Sequence, residues 1–554
     1  MGFPFFFVLS CFTFSLFLFT FPFQAAAQNA LHTIPAVPQE LLERPVTLRT
    51  GIGVVHDDAG TKHAEAQRFY DQGLAYLHNY VWIEAARSFH QALRLDPQMA
   101  LAHVGLSYAY IELNKPQQSR EAITTAQALS AKSAQSVDHV KRHVEARALQ
   151  MAAEDAGGDP SRLAAYRKSL DGAIAAFPND AELILRRGIA ESADPADRGQ
   201  GSVPASIPYY ERVVKAYEPS AALPARISTA WAAHHYLAHA YENSGRMKEA
   251  VDQAAAYAAQ ASNVPHAVHM HGHELRRLGR INEAIARFET ADKLQREYLA
   301  REKIAAEHDW HHAHNLDLLA ASYQYTGQMK KAEALLKQSF NLPTNLLVQA
   351  VNKREWPAFL LARNRPAEAL AAAQQLLKHP SLVVQATGHI EAGFALLAMN
   401  KPADGGQSSN AALKALRSAQ GAQGLAAIAL EALQGEFMLR TAQRDKGRQV
   451  MESAARKWRA LPGPDAWTQS LFRLEALARS ARSVGDWAFA ARLAQMMLEH
   501  DPNYAGTHFA LGLVSHHNTG TSATTLREFA LAEKAWANAD KDLAELKTMS
   551  ELRR

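Results

Sequence analysis

The chain has 554 residues, of which 48% are hydrophobic, and its 59 Lys and Arg against 55 Asp and Glu give a formal net charge of +4. This length exceeds what one hydrophobic core supports, so the chain needs several domains or a repeat array. The near balance of charge, without a run of five basic residues, argues against nucleic acid as the main partner. With 29 Gly and 23 Pro, the composition also excludes disorder of the whole chain.

The first 27 residues form a separate segment that has no charged side chain and ends in three alanines, at 25–27. An apolar stretch followed by small residues predicts a secretory signal peptide, and hence a periplasmic or secreted protein without a membrane span after cleavage. An uncleaved anchor over residues 3–23 is the alternative, because about 20 apolar residues span a bilayer. The only cysteine, Cys11, lies in this segment, so the mature chain has no disulfide and no thiolate ligand.

The clearest internal repeat covers residues 66–99. Its small residues allow two antiparallel helices to approach closely, two aromatic residues fill the space between them, and a proline ends the second helix. These positions are Gly73, Tyr76, Ala85, Phe89, Ala92 and Pro97. The pattern resembles the tetratricopeptide repeat, a unit of about 34 residues that forms helix, turn and helix.

The same spacing recurs at the turn glycines Gly245, Gly279, Gly327 and Gly485, and weaker copies with imperfect turn residues lie between them. The hits predict an all-α, tetratricopeptide-like solenoid of antiparallel helix pairs in a right-handed superhelix. The predicted order is a signal peptide (1–27), an extended segment (28–62), N-terminal repeats (63–191), a loop (192–208), His-rich repeats (209–345) and C-terminal repeats (346–554).

Histidine is concentrated in three consecutive repeats. Of the 25 histidines, 11 lie between residues 234 and 314. When the repeats are aligned on their turn glycines, the pairs His235–His239 and His269–His273 occupy equivalent positions 34 residues apart. Four residues advance about 6 Å along one face of a helix, so each pair directs two imidazoles to the same side. Two pairs in register on adjacent repeats are typical of a metal site.

Three more residues join these pairs by the same alignment. His266 and His314 each lie 13 residues before a turn glycine, and Asp317 occupies the third repeat's equivalent of His235. Neighbouring helices lie about 8–10 Å apart, so side chains from adjacent repeats can converge on the concave face. The predicted metal ligands are His235, His239, His266, His269, His273, His314 and Asp317.

The identity of the metal stays open at this point. Imidazoles with optional carboxylates suit Cu, Fe or Zn, and also Ni, whereas the missing thiolate removes the softest sites. Carboxylates at Glu274, Asp309 and Asp317 keep an iron centre with two histidines and one carboxylate open. Six of the candidate histidines would also suffice for a paired-copper centre with three imidazoles on each ion.

Histidines outside this group receive a simpler interpretation. Isolated histidines on helix surfaces are usually solvated or make one hydrogen bond. This applies to His56, His63, His90, His139, His143, His379, His500, His516 and His517. His271 is either a supporting residue or a core histidine, and four others lie on faces that the spacing does not fix: His234, His308, His311 and His312.

Motifs for other chemistry are absent from the sequence. It contains no G-x-S-x-G elbow, no phosphate-binding P-loop and no dinucleotide fingerprint, and His273-Glu274 does not continue into H-E-x-x-H. The sequence therefore gives no support to a hydrolase or a nucleotide-binding protein.

The chain resembles a group of exported bacterial tetratricopeptide-repeat proteins with His-rich middle repeats. The resemblance covers residues 69–336 and is carried by the opening repeat at 71–97 and by 235–239, 265–273 and 314–316. Where this group leads us to expect a further histidine, the chain has the carboxylate of Asp317. The resemblance implies a shared site in the middle repeats and names no reaction.

Two functions follow from these observations. The first is an exported metalloprotein, which as an enzyme would be an oxidoreductase or would activate a metal-bound water. The second is a non-catalytic scaffold whose concave groove binds an exported protein or peptide, with histidine as an ordinary polar contact. Because the histidines are confined to three consecutive repeats, the first is favoured; whether the protein is an enzyme stays undecided.

Overall fold

The computed structural model describes residues 37–132, 138–217, 229–344, 346–419, 424–461 and 464–554. Within these ranges all regular structure is helical. The predicted signal peptide, the alternative anchor and Cys11 lie outside the described residues. None of the described helices combines the length and apolarity that crossing a bilayer requires.

The helices follow one another in pairs, and each helix packs on its neighbours in the chain. The N-terminal helices are α1 (Gln39–Leu42), α2 (Ala64–His78), α3 (Trp82–Leu95), α4 (Ala100–Glu112), α5 (Pro116–Lys132), α6 (Asp138–Asp155), α7 (Pro160–Ala176), α8 (Ala181–Ile189) and α9 (Ile207–Tyr217). The middle helices are α10 (Ala230–Asn243), α11 (Met247–Gln260), α12 (Pro265–Arg277), α13 (Ile281–Glu302), α14 (Trp310–Tyr325) and α15 (Met329–Asn341).

The C-terminal part continues the same arrangement. Its helices are α16 (Leu347–Asn352), α17 (Glu355–Ala362), α18 (Pro366–Leu376), α19 (Leu382–Ala398), α20 (Pro402–Ser418), α21 (Gly424–Leu439), α22 (Arg444–Arg459), α23 (Pro464–Ser483), α24 (Trp487–His500), α25 (Ala505–Thr519), α26 (Ala523–Ala535) and α27 (Ala544–Leu552). The described chain is an all-α, tetratricopeptide-like solenoid, which confirms the predicted fold class.

The predicted turn glycines explain how each helix pair reverses direction. Gly245, Gly279, Gly327 and Gly485 all have φ between 74° and 78°, in the left-handed region that glycine adopts without a steric penalty. Asparagine tolerates this region better than other side chains do, and it takes the same role in weaker copies of the repeat. These turn residues are Asn114, Asn364 and Asn400.

Close helix contacts confirm the role of the small residues in the first repeat. A Cβ atom added at Gly73 would lie 2.4 Å from the ring of Phe89, and one added at Gly105 would lie 2.3 Å from the same ring. Phe89 of α3 is completely buried between α2 and α4. The sequence therefore places glycine where helices must touch around a large core side chain.

The first repeat and the segment before it pack directly on the His-rich repeats. Trp231 of α10 donates its indole N–H to the carbonyl oxygen of Val54 across 2.8 Å, and the backbone N–H of Asn263 donates to Gly51 across 2.8 Å. Arg87 of α3 forms a buried ion pair with Glu302 of α13, at 2.9 Å. Residues far apart in sequence thereby hold the first repeat against α10, α13 and the turn before α12.

The loop predicted at 192–208 is fixed on the N-terminal repeats. It contains a short 3-10 turn over Pro204–Ser206, after which α9 begins. Arg198 is buried in this loop and pairs with Glu112 of α4 at 2.9 Å and with Glu154 of α6 at 3.1 Å. Two ion pairs to different helices hold the loop against the solenoid.

Candidate metal centre

Three histidines from two helices meet in the middle repeats. His235 and His239 are four residues apart on α10, and His266 lies in the first turn of α12. One ring nitrogen of each lies within 4.8 Å of the others, and all three side chains are buried. The helical spacing places the first two on one face, and the packing of α12 beside α10 adds the third.

The position of the proton on His235 follows from its hydrogen bond. Its Nδ1 lies 2.7 Å from the carbonyl oxygen of His78, and a carbonyl can only accept, so Nδ1 carries the proton. The neutral ring then keeps a lone pair on Nε2. That atom lies 3.2 Å from Nε2 of His266. The arrangement is the one in which metal-bound histidines are oriented through their second nitrogen.

Burial keeps all three rings in the neutral form. Desolvation lowers the pKa of His239 to about 4 and lowers the pKa values of His235 and His266 well below the usual range. His239 Nε2 is buried and has no hydrogen-bond partner among the described residues. Such a group normally costs about 1–3 kcal/mol, which a bound cation would offset.

A second group of rings adjoins the first. The ring centroid of His269 lies 4.9 Å from that of His311 and 4.8 Å from that of His314. His266 links the groups, with centroid distances of 6.0 Å to His269 and 5.2 Å to His311. Six imidazoles from α10, α12 and α14 therefore form one continuous cluster.

Two rings of the second group are oriented in the same way as His235. His269 Nδ1 lies 2.8 Å from Asn315 Oδ1, whose amide nitrogen donates to the backbone carbonyl of Phe288 across 3.1 Å. His311 Nδ1 lies 2.9 Å from Gln295 Oε1. The Nε2 atoms of both histidines are buried without a hydrogen-bond partner among the described residues. With the proton on Nδ1, each Nε2 keeps a lone pair that no hydrogen bond uses.

Two of the predicted ligands lie outside this cluster or at its edge. His273 is buried, with its ring centroid 5.8 Å from that of His269, and its Nε2 lies 3.6 Å from a carboxylate oxygen of Glu242. Asp317 lines a separate small cavity together with Arg276 and Glu355. Asp317 takes the position in its repeat that His235 takes in its own, but α14 directs this carboxylate into the separate cavity and away from the cluster.

Tyr80 closes the cluster on the side of the first repeat. It occupies the turn between α2 and α3 at φ 58°, the conformation that glycine has in the other repeats. Its buried ring lies 4.7 Å from His235 and 5.1 Å from His266, measured between centroids. Its hydroxyl donates to the carbonyl oxygen of Arg198 across 2.9 Å, and its own carbonyl accepts from Trp310 Nε1 across 3.0 Å.

Sequence reasoning missed two parts of this site. His311 was assigned to an uncertain face, although its spacing of three residues from His314 was a usable signal for a shared face. The covering turn at His78 and Tyr80 had no signal in the sequence, because it comes from a repeat more than 150 residues away.

The interpretation of His139 and His143 as helix-surface residues is wrong. Both are buried on α6, their ring centroids are 4.5 Å apart, and both contact the carboxylate of Asp180. The segment around Asp57, which precedes the first repeat, covers the surface on which they would otherwise be solvated.

Known proteins resemble this chain only distantly, and only in structure. No protein-family model matches the chain, and no curated protein matches it in sequence. Yeast Tom70 aligns with 89% of this chain and all of its own at 14% identity and a TM-score of 0.30. The tetratricopeptide domain of P58(IPK) covers 86% of this chain and 99% of its own, at 11% identity and a TM-score of 0.21.

The subunit complex Cut9–Hcn1 is similar to the same extent, at 9% identity over 89% of this chain and 96% of that chain, with a TM-score of 0.28. Similarity at this level carries no argument about function. The assignment to the tetratricopeptide-like solenoids therefore rests on the helix pairs and turn residues described above.

Proposed function

We propose that this chain is an exported metalloprotein that binds a transition-metal ion through His235, His239 and His266 inside a helical solenoid. The adjoining histidines His269, His311 and His314 are the proposed ligands of a second ion. Export rests on the apolar, uncharged segment at residues 1–27, which ends in small residues.

The distance between the two Nε2 atoms of His235 and His266 carries this proposal. At 3.2 Å it matches the edge of a tetrahedron around an ion with metal–nitrogen bonds of about 2.0–2.1 Å, which is about 3.3 Å. His235 presents a lone pair there because its other nitrogen donates to a carbonyl. The third proposed ligand atom, Nε2 of His239, is buried without a hydrogen-bond partner among the described residues, which an ordinary core histidine would avoid.

The donor set favours copper or zinc over iron. The first three ligands are neutral imidazoles without a carboxylate, whereas the common iron site needs one, and Asp317 lies in another cavity. Three protein ligands leave a coordination position open, as in catalytic rather than structural sites. A bound ion would supply Lewis-acid or redox chemistry at that position.

The residues of this chain define how such a site operates. The carbonyl of His78 fixes the proton of His235 on Nδ1, and Asn315 and Gln295 do the same for the second group. Tyr80 and Trp310 exclude bulk water from the rings. Burial keeps the imidazoles neutral, so they do not repel a cation.

The alternative scaffold function meets an obstacle at this site. The turn of the first repeat covers the His-bearing face, so an extended peptide could reach it only after that repeat moves away. A partner that binds elsewhere on the solenoid is compatible with the metal site, and the experiment below separates the two functions.

The test is the metal content of the untagged full chain, measured by inductively coupled plasma mass spectrometry after reconstitution with Cu, Zn or Fe(II). We expect the His239→Gln/His266→Gln variant to lose the ion of the first group. His271→Gln is the matched control, since this half-buried histidine lies on α12 outside the cluster. A parent chain that retains none of the three metals would contradict the metalloprotein and leave the scaffold function.

A further inference from the structure

A second constellation of possible ligands lies in the N-terminal repeats, away from the His-rich cluster. It consists of Asp57 in the segment before α2, His139 and His143 on α6, and Asp180 at the N-terminus of α8. All four side chains are buried or nearly so, with exposed side-chain fractions between 5% and 11%. Three separate parts of the chain thus bring two imidazoles and two carboxylates together.

The four donor atoms all lie within 4.8 Å of one another, in a compact and uneven arrangement. His139 Nε2 lies 2.5 Å from Asp180 Oδ2, 3.2 Å from Asp57 Oδ1 and 3.2 Å from His143 Nε2. His143 Nε2 lies 3.2 Å from Asp180 Oδ2 and 3.9 Å from Asp57 Oδ1. Around an ion with bonds of about 2.0–2.1 Å these edges would each be about 3.3 Å.

The remaining oxygens of the two carboxylates are held by other groups. Asp57 Oδ2 accepts the hydroxyl of Tyr70 at 2.7 Å, and Asp180 Oδ1 accepts the backbone N–H of Leu183 at 2.9 Å as the N-cap of α8. Each carboxylate therefore presents one fixed oxygen to the centre. Hydrogen bonds that orient the ligands in this way are typical of metal sites.

From this geometry we propose that Asp57, His139, His143 and Asp180 bind a zinc ion. Two carboxylates balance the charge of Zn²⁺, so the filled site is neutral, as its burial requires. Without an ion, each imidazole would need a proton on Nε2 to donate to these carboxylates, and the two Nε2–H groups would lie 3.2 Å apart. A single zinc ion replaces both protons and removes this close approach.

The four ligands leave no coordination position open, which is typical of structural rather than catalytic zinc. The ion joins the segment that carries Asp57 to α6 and α8. Because residues 51–54 of the same segment bond to α10 and to the turn between α11 and α12, the site anchors the chain that covers the His-rich cluster. Its predicted role is to fix this covering segment, independently of any chemistry at the His-rich cluster.

The test compares zinc content per chain among the parent and the variants Asp57→Asn, Asp180→Asn and Asp138→Asn. Each full-length protein is stripped with a chelator, reconstituted with Zn²⁺ and separated from free ion. Asn keeps the shape of each ligand and still caps α8. Asp138 is the matched control, since it lies beside His139 but its exposed carboxylate pairs with Arg142 on the same helix.

We expect Asp57→Asn and Asp180→Asn to bind about one zinc ion fewer per chain than the parent and Asp138→Asn. The ligands of the His-rich cluster are unchanged in all four proteins, and the measurement below excludes a loss of zinc from that cluster. Equal zinc content in all four would overturn the proposal.

A second measurement does not depend on how well the Asn variants fold. In a His239→Gln/His266→Gln/His269→Gln/His314→Gln background, which removes ligands of both proposed ions of the His-rich cluster, Co²⁺ should give the intense visible absorption of a tetrahedral centre, and Zn²⁺ should abolish it and raise the melting temperature. If Co²⁺ gives no such absorption and Zn²⁺ leaves the melting temperature unchanged, the four residues form a charge-balanced ion-pair cluster, and the zinc site is overturned.

Discussion

The imidazole of His235 donates its Nδ1–H to the carbonyl oxygen of His78 across 2.7 Å, and this bond joins the first repeat to the fifth helix pair along the described chain. It fixes the tautomer of a proposed ligand and also anchors the turn that covers the site. The burial of the cluster and its capacity to bind a cation therefore depend on the same long-range contact.

The covering turn gives the first prediction. Tyr80→Ala removes a buried ring that contacts His235 and His266, so we expect a loss of about 3 kcal/mol in the free energy of unfolding and faster release of metal to a chelator. Tyr80→Phe keeps the ring and loses only the hydrogen bond to Arg198, for about 1 kcal/mol. Both variants retain a Cβ atom at the same φ, so they share the same backbone strain. Equal rates of metal release from the two variants would contradict a shielding role for the ring of Tyr80.

The second prediction concerns the orientation of His269. Asn315→Leu removes the acceptor for Nδ1–H and frees the ring to take the other tautomer. We expect the affinity for the second ion to fall about 10- to 100-fold while the ion at His235, His239 and His266 is retained. A competition titration with a metal indicator measures both sites. Loss of both ions together would show that the two groups are not separable.

Helix packing in the first repeat supplies a paired stability test. Gly73→Ala places a methyl group 2.4 Å from the buried ring of Phe89, so we expect a loss of about 1–3 kcal/mol. The same change at Gly172 in α7 meets only a side-chain atom of Arg142 at 3.9 Å, and there alanine should add about 0.5–1 kcal/mol. Urea unfolding followed by circular dichroism compares the two; a loss of equal size at both sites would contradict the packing account.

The fourth prediction is a pH dependence carried by His90. Burial lowers its pKa to about 4, and its Nε2 lies 2.7 Å from the hydroxyl of Tyr110. As the pH falls below about 6.5, the unfolded chain binds a proton before the folded chain does, so stability is lost between about pH 6.5 and 4.

His90→Gln should therefore lower the difference in unfolding free energy between pH 7 and pH 5 by about 1 kcal/mol, a value reduced for partial exposure. Urea titrations of the parent and the variant at both pH values measure this. A variant that retains the full acid sensitivity of the parent would assign the effect to other groups.

Local spacing in the sequence determined the repeat and the helix faces that carry the candidate histidines. The turn glycines at 245, 279, 327 and 485 mark helix reversals because glycine adopts that φ without the steric penalty that other residues bear. The pairs His235–His239 and His269–His273 share a helix face because four residues nearly complete a turn. These features depend on neighbours within one helix or one turn.

The tertiary structure decided which of these faces meet. It placed Tyr80 and His78 over the cluster, added His311, directed Asp317 into another cavity, and joined Asp57 to His139, His143 and Asp180. Each of these contacts spans tens to hundreds of residues. The spacing within a helix fixes where a side chain points around that helix, whereas the path of the whole solenoid fixes which distant segment lies opposite. That path is the sum of many small packing angles between repeats, which no local spacing determines.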